Sequence, residues 1–190
     1  NIIQAAHHND IQKLLLFGSS CIYPKFASQP INENSLLTGQ LEQTNAPYAI
    51  AKIAGLQMCK SYHDQYGRDY RAVMPTNLYG PSDNFHIADS HVLPALIHKI
   101  HYAKTQGKDK VYLWGTGTPK REFLFIDDCI DACIEVLKLP ENAYWNLSSG
   151  EAHINIGSGK EIEIKFLAKL VKEVINYNGT IIFDENYPDG

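Results

Sequence analysis

The stretch LLLFGSSCIYP, Leu14–Pro24, decides how the rest of the chain is read. Four apolar residues, Leu14 to Phe17, run into a glycine, two serines and a cysteine, with tyrosine and proline behind them. A short continuous apolar run is the pattern of a strand covered on both faces, as in a parallel sheet. Ligands of open α/β sheets collect at the carboxyl ends of the strands. The small tip Ser19-Ser20-Cys21 therefore reads as hydroxyls and a thiol presented to a crevice.

Working outward, strand and helix signals alternate. NIIQAAHHND reads as the end of a helix entering the first strand. A polar loop from Pro24 to Pro47 is long enough to suggest function. AIAKIAGLQMCKSYHDQYG has helical spacing, with Gly67 as its stop. DYRAVMPTNLYG predicts a strand ending at Pro75 and Thr76. SHVLPALIHKIHYAKTQG predicts a helix that tolerates Pro94 near its first turn. KVYLWGTG predicts a strand entering a glycine turn, and IDDCIDACIEVLKL a helix with Asp127 or Asp128 at the cap. WNLSSGEAHINIGSG predicts a turn and a short strand, EIEIKFLAKLVKEVINYNG an amphipathic helix, and TIIFD a last strand. The alternation predicts an α/β fold with a mostly parallel sheet.

The 190 residues can bury a core for one domain, or for one domain and a lobe. A net charge of −4 gives no reason to expect a nucleic-acid partner or an anionic membrane surface. No apolar run approaches the roughly 20 residues of a membrane span. Cys21, Cys59, Cys129 and Cys133 form no CxxC pair, which points to a reducing compartment, most simply the cytoplasm. The chain begins without methionine and stops just after a strand, so it is expected to be a piece of a longer protein.

The chemistry-bearing pair is Tyr48 and Lys52 in YAIAK, four apart and so on one helix face. A phenol titrates near pH 10, and a neighbouring ammonium favours its ionised form. Such a tyrosine can exchange a proton with a carbonyl oxygen, and Ser19 or Ser20 can hydrogen-bond the same atom. In isolation, Tyr and Lys at this spacing are usually a core contact and a solvated charge. The SSC tip upstream and PTNLYGP downstream tilt the reading toward chemistry.

GSSCIYPK, NAPYAIAKIAG, YGRDYRAVMPTNLYGPSDNFH, SHVLPALIHK and WGTGTPKREFLFIDD, in this order, resemble the extended short-chain dehydrogenase/reductases that act on nucleotide sugars. Within them, the closer resemblance is to the GDP-L-fucose synthase family, which epimerises and reduces GDP-4-keto-6-deoxy-D-mannose. The cysteine beside the serines and the NFH…SHVLPAL block carry that specificity.

The resemblance implies a Rossmann-like, doubly wound parallel sheet, its N-terminal part missing, with a small α/β substrate-binding lobe. Residues 1–80 would be the C-terminal part of the dinucleotide-binding domain. Residues 81–190 would be mainly the nucleotide-sugar lobe, with 122–158 returning to the Rossmann domain. It implies NADP(H) as cofactor, a GDP-sugar substrate, and a homodimer formed through the helix at 48–66 and the helix after Ser90. Ser19, Tyr48 and Lys52 would bind and protonate the sugar's O4, and Cys21 and His91 would be the epimerisation acid/base pair. Ser19, Ser20, Lys52, Pro75, Thr76, Asn77, Leu78 and His91 would contact cofactor. Lys99, Trp114 and Arg121 would hold the GDP portion; a guanidinium suits a diphosphate and an indole a flat group. No metal is expected.

One feature of the family does not occur in these residues: a GxxGxxG loop between a first strand and helix, where the pyrophosphate binds. TGTP and IGSG do not join a strand to a helix in that register. The alternatives are therefore another nucleotide-sugar epimerase or dehydratase, which would not need Cys21 and His91, or a non-catalytic segment that binds only GDP.

Overall fold

The computed structural model describes residues 1–86 and 89–189. In chain order the elements are α1 (Ile2–His8), β1 (Lys13–Phe17), α2 (Ala46–Tyr66), β2 (Asp69–Pro75), β3 (Asn77–Tyr79), α3 (Val92–Thr105), β4 (Lys110–Trp114) and β5 (Lys120–Phe125). There follow α4 (Ile126–Lys138), α5 (Glu141–Leu147), β6 (His153–Ile156), β7 (Glu161–Glu163), α6 (Ile164–Ile175) and β8 (Thr180–Asp184). They divide into two units, Asn1–Thr76 with Ile126–Gly157, and Asn77–Phe125 with Ser158–Gly190.

The first unit is built on a parallel sheet of order β1-β2-β6. Register runs Lys13↔Asp69 to Phe17↔Val73, and Ala72↔His153 to Pro75↔Ile156. Strand side chains alternate faces. Leu14, Leu16, Tyr70, Ala72 and Met74 pack with Ile53, Leu56 and Cys59 of α2. On the other parity, Arg71 is wholly buried and donates to the carbonyl oxygens of Val136 and Leu139 at the end of α4. Its guanidinium also grips Asp69 in a fork of 2.6 and 2.8 Å. Helices thus cover both faces, the parallel α/β arrangement expected of the apolar runs. α2 begins with Pro47 in its first turn and ends at Gly67, whose φ of +63° is the left-handed cap.

The second unit carries two small sheets. β3-β5-β7 pairs β3 and β5 in parallel and β5 and β7 antiparallel; β4 and β8 pair in parallel. Its core joins Leu96, Ile100 and Ala103 of α3, Val111 and Leu113 of β4, and Leu167, Ala168 and Val171 of α6. The spacing of Leu167 and Val171 is one helical stripe, and each side chain so buried contributes about 1.5–3 kcal/mol.

Four local expectations change. The helix opens at Ile164 rather than Glu161: Glu161–Glu163 is a strand against β5, register-paired with Lys120–Glu122. KREFLF is a strand that alternation did not mark. α5 replaces a turn, because buried Tyr144 accepts the Ala72 N–H (2.9 Å) and donates to the Ala152 carbonyl (2.8 Å). Asp127 and Asp128 lie inside the first turn of α4 rather than at its cap.

Candidate active site

The sequence tip folds as a single tight turn. β1 ends at Phe17, and the Gly18 N–H donates to the Val73 carbonyl at 2.9 Å. A Cβ on Gly18 would lie 1.8 Å from Met74 Cε, so any side chain there would have to displace the end of the buried Met74 chain. Ser19 is the extended N-cap of a 3₁₀ turn over Ser20–Ile22, and its Oγ accepts the Cys21 N–H at 3.4 Å. Ser20 is exposed, Ser19 and Cys21 are half-buried, and Ile22 and Tyr23 are buried behind them.

Tyr48 and Lys52 lie one turn apart near the start of α2. Lys52 Nζ stands 5.6 Å from the Tyr48 ring centroid and donates to the Phe17 carbonyl oxygen at 2.7 Å. The helix pair is thereby joined to the end of β1, two residues before Ser19. Tyr48 remains 50% exposed, so the phenol is open to a ligand. Pro75 closes β2, paired with Ile156, and the Thr76 N–H donates to the Ile156 carbonyl at 3.1 Å. Thr76 Oγ1 is buried and has no hydrogen-bond partner among the described residues. An orphaned hydroxyl at the carboxyl end of a parallel strand is costly unless something supplies its partner.

Asn77 and Leu78 belong to the second unit, in β3 opposite Phe123 and Leu124, and Asn77 Nδ2 donates to the Glu122 carbonyl (2.9 Å). In the same unit His91 is the exposed N-cap of α3, and its ring makes no capping hydrogen bond. Leu93 and Pro94 in that first turn line an apolar hollow with Tyr79, Phe85, Ile97 and Phe125. Lys99 Nζ stands 5.1 Å from the Trp114 ring centroid, and burial pushes the ammonium below its usual pKa. Trp114 stacks on Tyr187 at 4.9 Å with an 8° interplanar angle. Arg121 lies on β5, paired in register with Ile162 of β7, and donates to the Lys120 carbonyl. The structure therefore sets Lys52 beside Tyr48 and ties it to the strand end two residues before Ser19 in the first unit, and sets Lys99 beside Trp114 in the second.

Behind the turn lies a polar group that sequence reading passed over. Tyr23 Oη donates to Asn155 Oδ1 at 2.6 Å and lies 3.1 Å from His153 Nε2. No local spacing links position 23 to positions 153 and 155, and YP after a serine tip carries no signal of it.

The NAD dependent epimerase/dehydratase family model matches residues 1–157. The chain belongs to this family. Its epimerase/dehydratase relatives include the GDP-L-fucose synthase of Escherichia coli (strain K12), 54% identical over the whole chain and 60% of that protein's length. GDP-L-fucose synthase 1 of Arabidopsis thaliana is 53% identical over the whole chain and 56% of its own length. A solved GDP-L-fucose synthetase from Naegleria fowleri, bound to NADP, superposes with a TM-score of 0.87 at 28% identity. That match covers 100% of this chain and 59% of the solved one. The chain thus spans little more than half the length of these relatives.

The first unit has polar groups at its strand ends that suit a dinucleotide. The unpartnered Thr76 hydroxyl and the Lys52 ammonium both stand at carboxyl ends of neighbouring strands, where a ribose or carboxamide would find them. Among the described residues no group of three or more His, Cys, Asp or Glu side chains is placed to hold a metal ion. No helix among them is long and apolar enough to cross a membrane.

Proposed function

We propose that this chain carries the catalytic end of an NADPH-dependent 3,5-epimerase/4-reductase that converts GDP-4-keto-6-deoxy-D-mannose to GDP-L-fucose. The observation that carries the reading is the junction of YAIAK with the SSC tip, where Lys52 bonds the Phe17 carbonyl at 2.7 Å beside the exposed Tyr48. Identity of more than half over the whole chain to proteins named GDP-L-fucose synthase supports the choice of sugar.

The chemistry follows from one oxygen. A ketone at C4 acidifies the hydrogens on C3 and C5. Loss of either proton leaves an enolate whose charge rests on O4, and Ser19, Tyr48 and Lys52 stabilise it by hydrogen bonds and charge. Cys21 and His91 remove the proton from one face and return one to the other, so epimerisation changes neither proton nor electron count. Thiol and imidazole suit this because they titrate closest to neutrality. Bound NADPH would supply hydride, with Ser19, Ser20, Lys52, Pro75, Thr76, Asn77, Leu78 and His91 as the residues that hold it. Tyr48 gives O4 its proton as the carbonyl becomes an alcohol. Lys99, Trp114 and Arg121 hold the GDP portion; an anionic partner would offset the desolvation of the Lys99 ammonium.

The protein acts in the cytoplasm, in keeping with four free cysteines, and assembles as a homodimer. α2 is a candidate for that contact, because Ile50 on its outer face is 58% exposed.

The test is to incubate the full-length protein with NADPH and GDP-4-keto-6-deoxy-D-mannose and identify the sugar formed. GDP-L-fucose is expected from the natural protein, and a reduced but unepimerised sugar from Cys21→Ser. Indifference of epimerisation to that change would move the chain to a sister enzyme of the family.

A further inference from the structure

The turn that presents Ser19, Ser20 and Cys21 is held at both ends, by different devices. Upstream, the Gly18 N–H bonds Val73, and Lys52 bonds the Phe17 carbonyl. Downstream, Tyr23 reaches across to β6. Its hydroxyl has a single proton, which goes to Asn155 Oδ1 at 2.6 Å, so it accepts from His153 Nε2 at 3.1 Å. That assigns the neutral His153 its proton on Nε2. Nδ1 is left buried with no partner among the described residues. Asn155 is itself fixed: its N–H donates to Glu33 Oε1 at 2.8 Å and its Nδ2 to the Ile31 carbonyl at 3.1 Å.

A phenylalanine at position 23 would fill the same space without any of these partners. Burying a phenol, an imidazole and an amide together costs free energy that apolar packing does not. Tyr23 is 5% exposed and His153 fully buried, and burial holds the phenol above and the imidazole below their ordinary pKa values, so both stay neutral. The trio instead fixes where the downstream half of the turn sits. Cys21 lies two residues from Tyr23, whereas Ser19 lies next to the Gly18 anchor.

We propose that Tyr23, clamped by Asn155 and His153 of β6, is a positioning residue that fixes the Cys21 thiol for proton exchange, while the Ser19–Tyr48–Lys52 cradle keeps ties of its own, at Gly18 and at the Phe17 carbonyl. The inference rests on the function proposed above. It follows that loosening the clamp impairs epimerisation more than reduction, because proton transfer from carbon is steeply sensitive to misplacement, with about 10²-fold lost per ångström in unfavourable cases.

The experiment compares Tyr23→Phe and Asn155→Ala with the natural full-length protein in D₂O. Two readouts are taken. One is deuterium gained at C3 and C5 per NADPH consumed from GDP-4-keto-6-deoxy-D-mannose. The other is the rate at which iodoacetamide labels Cys21. In both variants, deuterium per reduction is expected to fall about ten-fold. Cys21 labelling is expected to change several-fold, while Cys59, Cys129 and Cys133 stay unlabelled. The double variant is expected to match the singles, as parts of one device do. An unchanged ratio and unchanged labelling, with folding intact in either variant, would overturn the positioning role while leaving the enzyme reading standing. Failure of the natural protein to turn over the ketosugar would remove that reading and this inference with it.

Discussion

Lys52 Nζ and the Phe17 carbonyl oxygen are 2.7 Å apart, so one ammonium belongs at once to the Tyr48 face of a helix and to the strand end that presents Ser19. Lys52→Met deletes both the tie and the cation beside Tyr48. It should lower kcat by about 10²–10⁴-fold in the full-length protein, the usual value of a positioned acid–base system. Loss of one hydrogen bond should cost only about 1 kcal/mol of stability. Lys52→Arg should not restore the rate, because a planar fork does not occupy the place of a point charge. Steady-state kinetics beside a urea melt separates the two effects.

The Arg71–Asp69 pair should dominate the stability of the first unit. Arg71 is fully buried, forks onto Asp69 and bonds two carbonyls at the end of α4. Arg71→Met strands a buried carboxylate whose remaining cation is Lys13 at 3.1 Å. A loss of about 3–5 kcal/mol is expected from the shift in urea midpoint. Arg71→Met with Asp69→Leu should recover part of it, since no buried charge is then left, and Lys13, which loses its carboxylate, is solvent-exposed.

Thiol chemistry should single out Cys21. Burial pushes the Cys59 thiol up to about 12 and the Cys133 thiol up to about 11, and raises Cys129 as well. Cys21 alone of the four is half-buried. Iodoacetamide at pH 8 should label Cys21 in the native protein and the other three only after denaturation, as peptide mass mapping would show.

His153 should make the fold acid-sensitive. Desolvation lowers its pKa below the ordinary 6.5, against the smaller opposing influence of Glu33 and Glu151, with Tyr23 its hydrogen-bond neighbour. The unfolded chain therefore binds this proton more readily than the native one. Stability should be complete above about pH 6.5 and fall as pH drops toward the depressed native value, with a slope of at most about 1.4 kcal/mol per pH unit. His153→Gln should flatten that limb of a pH series of urea melts.

The parallel α/β fold was legible because its strands are short apolar runs whose tips change abruptly to small polar residues, as at Phe17-Gly18-Ser19. Tyr48 and Lys52 were legible because helix geometry makes four-residue spacing a contact. The strand Glu161–Glu163 was not, since a charged three-residue edge has no apolar period and is set by its register against Lys120–Glu122. Nor was α5, whose Tyr144 is fixed by backbone groups of β2 and of the segment before β6. The Tyr23–His153–Asn155 group escaped for the same reason: its bonds join residues more than a hundred positions apart.

The chain passes from one unit to the other at Thr76–Asn77, Phe125–Ile126 and Gly157–Ser158. Neither unit is a continuous segment, so a single genetic crossover cannot transplant either one whole. Three coordinated junctions would be needed to graft a new second unit onto this first one. New substrate preferences should thus arise in this lineage by point substitutions and loop changes within each segment, rather than by shuffling modules.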